Sequence, residues 1–179
     1  MKILAFGAST SGASINRALA GFAASLVPGA EVELLDLRAF QPPLFSEDLE
    51  AEIGQPPAAR AFLARIAAAD ALVVSFAEHN GSYTAAWKNL FDWASRIERK
   101  VFQDKPAVYL AASPGPGGGG SVLEAAKGSA GVFGADLRAA VSVARFHEVF
   151  DAGAGRVTDR AVLAQLTAAA GALALAEAA

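Results

Sequence analysis

The run Asp70-Ala71-Leu72-Val73-Val74-Ser75-Phe76 constrains this chain more than any other stretch. Almost every position is apolar, so the strand it predicts needs cover on both faces. Strands of that kind belong to parallel sheets with helices packed on either side. The apolar run Ile3-Leu4-Ala5-Phe6 predicts another buried strand. Lys105 to Ala112 predicts a third, with Pro106 at its start, where a missing N–H is tolerated. Glu31 to Leu37 and Asp136 to Ala144 read as the remaining strands.

Helical spacing fills the gaps. Ile15, Leu19, Phe22, Ala23 and Leu26 recur at helical period after the first strand, and Ala58, Phe62, Leu63 and Ile66 do so before the third. Thr84 to Glu98 and Val122 to about Phe133 predict two more helices. A last one runs from Ala161 to Ala178, behind Thr158 and Asp159, either of which can cap it. Pro42 and Pro43 open a loop, and Ser46 to Gly54 predicts an irregular turn. Strict alternation of strand and helix implies a doubly wound sheet with right-handed crossovers. The expected fold is therefore α/β: one flavodoxin-like domain over residues 1–179, a three-layer sandwich whose five-stranded parallel sheet has the order 2-1-3-4-5.

Composition narrows the function. With 54% apolar residues the chain can bury a sizeable core. A net charge of −3 gives no electrostatic reason to expect a nucleic-acid or membrane partner. There is no cysteine, which excludes disulfides, thiolate catalysis and cysteine-ligated metal. His79 and His147 are the only histidines, so no metal site is expected, and His147 beside Phe146 and Phe150 reads as a packing or surface residue. The opening residues lack a basic region followed by an apolar stretch, and the alanine-rich last helix carries Gln165, Thr167 and Glu177, so a cytoplasmic location is expected.

In the 2-1-3-4-5 order, the loops after strands 1, 3 and 4 meet where the strand order reverses, and ligands bind there. The first loop offers Ser9, Ser11 and Ser14 hydroxyls, with Ile15 and Asn16 opening the helix behind it. Two readings stand: an anion site suited to phosphate at a helix N-terminus, or an ordinary strand-to-helix turn with Ser14 as N-cap. The second loop packs Ala77, Glu78, His79, Asn80 and Gly81 into one turn. The third, Ser113-Pro114-Gly115-Pro116-Gly117-Gly118-Gly119-Gly120, offers bare backbone. A phosphate cradle, a polar clamp and a backbone wall at one sheet edge suit FMN.

These motifs resemble the NADPH-dependent FMN reductases of flavodoxin-like fold, which include azo-, quinone- and chromate-reducing members. The family's Gly-Ser-x-Arg-x-x-Ser-x-Asn loop is matched at Ser9, Ser14 and Asn16. Its Pro-Glu-Tyr-Asn-x-Ser motif is matched at Glu78, Asn80 and Ser82, and its following helix at Lys88-Asn89 and Asp92-Trp93. Its Ser-x-Gly-x-x-Gly-Gly loop is matched at Ser113, Gly115, Gly118 and Gly119. The tail Phe150-Asp151-Ala152-Gly153 with Thr158-Asp159 is similar as well. Ser11, Ala77 and His79 stand where the family has arginine, proline and tyrosine, which leaves Arg17 as the nearest cation to the first loop.

The resemblance implies an oxidoreductase that binds FMN, takes hydride from NAD(P)H and reduces a small-molecule acceptor of quinone, azo or flavin type. The flavin then carries the chemistry, and no catalytic acid–base pair is expected. The rival reading is a non-enzymatic electron carrier with weakened FMN affinity. A homodimer or homotetramer is also expected. The helix Thr84–Glu98 shows a wide apolar face, and Phe91 and Trp93 are assigned to its exposed, subunit-facing part.

Overall fold

The computed structural model describes residues 1–174. Its elements run β1 (Lys2–Ala8), α1 (Ile15–Ser25), β2 (Glu31–Leu35), a 3-10 turn (Leu37–Ala39), α2 (Glu47–Ile53), α3 (Pro57–Ala68) and β3 (Ala71–Phe76). A short hairpin, β4 (Glu78–His79) and β5 (Ser82–Tyr83), leads into α4 (Ala85–Ile97). Then come β6 (Lys105–Ala112), α5 (Gly120–Ser129), β7 (Ala135–Val143), α6 (Phe146–Val149), the hairpin β8 (Phe150–Asp151) and β9 (Arg156–Val157), and α7 (Arg160–Ala174).

The main sheet has five strands, all parallel, in the order β2-β1-β3-β6-β7. This is the expected 2-1-3-4-5 arrangement, with β6 and β7 as its fourth and fifth strands. The three central strands are buried almost throughout, as their apolar sequences require. One face of the sheet packs Phe6, Phe76 and Tyr109 under α3, α4 and α5. The other packs Ala5, Val73 and Leu110 under α1 and α7. Those are the three layers.

Three local features differ from the sequence reading, and one alternative that it left open is decided. Strand β2 stops at Leu35, because the Asp36 carboxylate accepts from the Arg38 N–H and starts a 3-10 turn. Residues 47–53 form a helix: Ser46 Oγ accepts from Leu49 N–H at 3.1 Å, and Glu47, Asp48 and Glu50 sit in the first turn, where the helix dipole favours them. Helix α5 ends at Ser129, four residues early, and the chain then turns through Gly134 at φ +73°. Finally, Asp159 and not Thr158 caps α7, accepting from Ala161 and Val162 N–H at 2.9 Å each. Residues 175–178 of that predicted helix, with Glu177, lie outside the described residues.

The larger correction concerns α4. Trp93 is fully buried inside this chain and is not part of an exposed face. Its indole N–H donates to Pro43 O at 2.8 Å, and Phe45 meets its ring edge-on at 5.0 Å. Asn89 completes the attachment, accepting from Phe45 N–H and donating to Pro42 O and Pro43 O. The apolar face is wide because it meets both the sheet and the loop of residues 42–45. Phe91 is half-buried and stacks edge-on against Phe133.

Candidate functional site

The site begins with a close approach. A Cβ on Gly7 would lie 2.4 Å from the Arg17 nitrogen, so only glycine lets the end of β1 touch the first turn of α1. The N-terminus of α1 is thereby held over the carboxyl edge of the sheet. Ser14 Oγ accepts from Arg17 N–H at 3.2 Å and caps the helix. The N-cap reading of this loop therefore holds. Ser14 satisfies one N–H, while Ile15 and Asn16, whose first-turn N–H groups have no acceptor within the helix, line the cleft. Ser9 Oγ accepts from Ser11 N–H at 3.1 Å and shapes the loop between them.

Asn16 is the structural knot of the site. Its side-chain oxygen accepts from Ser75 Oγ at 2.7 Å and from Ala112 N–H at 2.9 Å. Its side-chain nitrogen donates to Ala112 O at 3.1 Å. One buried amide thus ties α1 to the ends of β3 and β6. Its side chain is spent on the protein, and only its main-chain N–H remains for a ligand. The family resemblance marked Asn16 as part of the loop motif, and the sequence gave no sign of Ser75 as its partner.

The second loop folds as the β4–β5 hairpin. Asn80 and Gly81 occupy its tip at φ +54° and +76°, conformations that asparagine and glycine accept most readily. The Glu78 carboxylate turns away from the tip and accepts from Val122 N–H at 2.9 Å. Gly119, the N-cap residue of α5, has no capping side chain, so Glu78 supplies the cap from across the fold. Thr84 Oγ1 donates to Ala8 O at 2.9 Å and also accepts from Trp87 N–H, joining this segment to the end of β1.

The third loop is tied to β7 and the turn after it. Ser113 N–H donates to Val143 O, Phe146 N–H to Ser113 O, and Arg145 N–H to Gly115 O. The close approach of Gly118 is likewise to the end of β7, since a Cβ there would lie 2.3 Å from Ser142 Oγ.

These segments enclose a cleft of about 240 Å³ at the carboxyl edge of the sheet. Ser9, Ser11, Ser14, Ile15 and Asn16 line it from the first loop. Ala77, Glu78 and His79 line it from the second, and Ser113 and Pro114 from the third. Ala13 and Ala112, which the sequence reading did not include, also line it. Asn80, Gly81, Gly115 and Gly118 do not; they turn or anchor the loops that do.

Charge near the first loop is arranged differently from expectation. Arg17 points along the sheet edge, donating to Leu35 O and Leu34 O, and so fastens β2 instead of reaching the loop. Arg38 donates through Nε and Nη2 to the Asp36 carboxylate. Hydrogen bonds from Arg38 pull the Asp36 pKa down to about 2. The remaining guanidinium nitrogen, Nη1, lies 3.2 Å from where a Gly12 side chain would begin. Sequence reasoning missed Arg38, although its place just beyond the end of β2 is a signal that the topology could have flagged.

A second cavity, of about 310 Å³, lies between α4 and α5 on the face of the sheet that they cover. Its lining is aromatic, with Phe76, Trp87, Phe91, Phe102 and Phe133 prominent. Burial pushes the Tyr109 phenol well above its ordinary pKa. Among the described residues, no His, Cys, Asp or Glu group is placed to hold a metal ion, and no helix is long and apolar enough to cross a membrane. His147 is exposed, with its ring against Phe146.

The sequence profile of the family described as NADPH-dependent FMN reductase matches residues 1–148. Over 116 residues the chain is 41% identical to an NAD(P)H-dependent FMN reductase of Pseudomonas aeruginosa, a match covering 64% of this chain and 61% of that protein. Over 95 residues it is 40% identical to an NADPH:quinone oxidoreductase of Arabidopsis thaliana, covering 53% of this chain and 47% of that protein. The aligned stretch thus spans less than two thirds of either relative. Among solved structures, a flavoenzyme NAD(P)H:(acceptor) oxidoreductase from Paracoccus denitrificans superposes with a TM-score of 0.78 at 25% identity, covering 96% of this chain and 94% of that one.

Proposed function

The chain belongs to the NADPH-dependent FMN reductase family, and from that premise we propose that it binds FMN in the cleft, accepts hydride from NAD(P)H and reduces a quinone-type small molecule. Azo compounds and free flavins are the other acceptor classes that the reading embraces. The observation that carries it is the placing of α1: first-turn N–H groups of Ile15 and Asn16 line a cleft at the point where strand order reverses.

The residues present fit the cofactor. The Ser9–Asn16 loop would hold the phosphate through main-chain N–H groups and the Ser11 hydroxyl. The backbone of Ala77–His79 and of Ser113–Pro114 would hold the ring from two sides. When bound, the flavin supplies the redox chemistry, accepting hydride from nicotinamide and yielding electrons to the acceptor. What the chain does is bind and orient. Asn16 and Thr84 fix the spacing of the loops, and Glu78 holds the hairpin against α5. No side chain has to move a proton for the hydride step itself. In FMN-loaded protein, flavin absorbance should bleach on adding NADPH or NADH without oxygen and return on adding a quinone. Flavin that binds but does not bleach would favour the electron-carrier reading.

We also propose that the protein self-associates, and that it works in the cytoplasm, where reduced nicotinamide is made. Support for association comes from the groove between α4 and α5, with half-buried Phe91 and Phe133 along it and Val132, 57% exposed, beside Phe133. Ala125 is exposed on the rim of that groove, outside both core clusters. Ala125→Glu should therefore give monomers that stay folded, with an unfolding midpoint that no longer depends on protein concentration. Sedimentation of the unaltered protein as a monomer at micromolar concentration would refute the association.

A further inference from the structure

We propose that Arg38, reaching from the turn after β2, is the cation that recognises the FMN phosphate, and that Asp36 is the positioning residue that aims it. The inference rests on the FMN reading above and deepens it. A flavin phosphate brings about 1.5 to 2 negative charges. A helix N-terminus offsets only about half a charge. The first loop adds hydroxyls but no cation, since Ser11 is neutral. Arg17 is committed to the Leu34 and Leu35 carbonyls.

Arg38 has the geometry to supply the missing charge. Two of its three guanidinium nitrogens are held by Asp36, which fixes the plane of the group. The third, Nη1, stands over Gly12, in the middle of the phosphate loop, with no hydrogen-bond acceptor among the described residues. Glycine at position 12 leaves that space open: a Cβ there would already be in tight contact with Nη1 at 3.2 Å. Asp36 does not cancel the effect. It holds the guanidinium through Nε and Nη2 and leaves the donors of Nη1 turned toward Gly12, where a phosphate oxygen would accept. The family's arginine enters from within the loop. Here the same role is filled from the turn after the next strand.

The test is titration of FMN and of riboflavin, which lacks the phosphate, into the unaltered protein and its variants at one salt concentration. Hydrogen bonds to charged groups contribute enough that Arg38→Gln should weaken FMN by about tenfold or more, while riboflavin changes by less than about twofold. Arg38→Lys, which keeps the charge but not the fork, should recover part of the loss. Asp36→Asn should give a smaller loss, again confined to FMN. Placing Ser11→Arg in the Arg38→Gln background should restore FMN affinity. Unchanged FMN affinity in Arg38→Gln, or an equal loss for both flavins, overturns the assignment and leaves flavin binding intact. Unaltered protein that binds riboflavin as tightly as FMN overturns it too. Unaltered protein that takes up neither flavin overturns the FMN reading, and the assignment falls with it.

Discussion

Asn16→Leu should remove several kcal/mol of stability and abolish flavin binding at temperatures where the fold survives. Leucine has a similar volume and a good helix propensity, so neither packing nor the helix explains the loss. The loss comes from the partners. Ser75 Oγ, Ala112 N–H and Ala112 O each lose their bond to Asn16, and Asn16 and Ser75 are 2% and 0% exposed. A buried polar group left unpaired costs about 1–3 kcal/mol. Three such groups together reach a large part of a typical total stability of about 5–15 kcal/mol. Urea unfolding of the two proteins decides it. Ser75→Ala is the internal control, since it removes one donor and leaves both Ala112 bonds in place, and it should cost much less. A loss below about 1 kcal/mol for Asn16→Leu would mean the amide does not knot the three elements together.

The second large effect is expected at Trp93. Removing a buried tryptophan ring to alanine costs about 3–5 kcal/mol, and here it would also remove one of the hydrogen bonds that the Pro43 carbonyl accepts, leaving the one from Asn89. The expected result is a lowered unfolding midpoint with no change in association state. Trp93→Phe keeps the ring contact with Phe45 and loses mainly the N–H bond, so its cost should be about 1 kcal/mol. If Trp93→Ala left stability alone and produced monomers, the ring would be an interface residue and its burial within one chain would not matter.

The contrast between these two residues shows what the sequence carried. The strand and helix pattern was legible because β3 and its neighbours are apolar on both faces, and only a covered parallel sheet satisfies that. From the pattern followed the strand order, and from the order the edge where the loops meet. Ten of the proposed site residues, from Ser9 to Pro114, do line one cleft there. What escaped were partnerships between segments far apart in the chain. Helical spacing displayed the apolar face of α4, but the loop at Pro42–Phe45 that covers Trp93 has no periodicity to announce it. The same holds for Glu78 capping α5 and for Arg38 lying over Gly12. A local signal was also missed: Ser46 caps α2 ahead of Glu47, Asp48 and Glu50 in its first turn. Asn80 and Gly81 read as ligand contacts in the sequence, although asparagine followed by glycine is first of all a hairpin tip.

The Asn16 knot also has a bearing on synthesis. Its bonds join residues 59 and 96 positions apart. Contacts of such separation form late, because loop closure must precede them. A growing chain still on the ribosome cannot complete the cleft until Ala112 has emerged and β6 has paired beside β3. Shorter nascent fragments possess the whole Ser9–Asn16 loop yet lack the bonds that hold it in register. On the proposed function, flavin would load only onto copies whose sheet is complete, and truncated or misfolded copies would leave the flavin pool untouched.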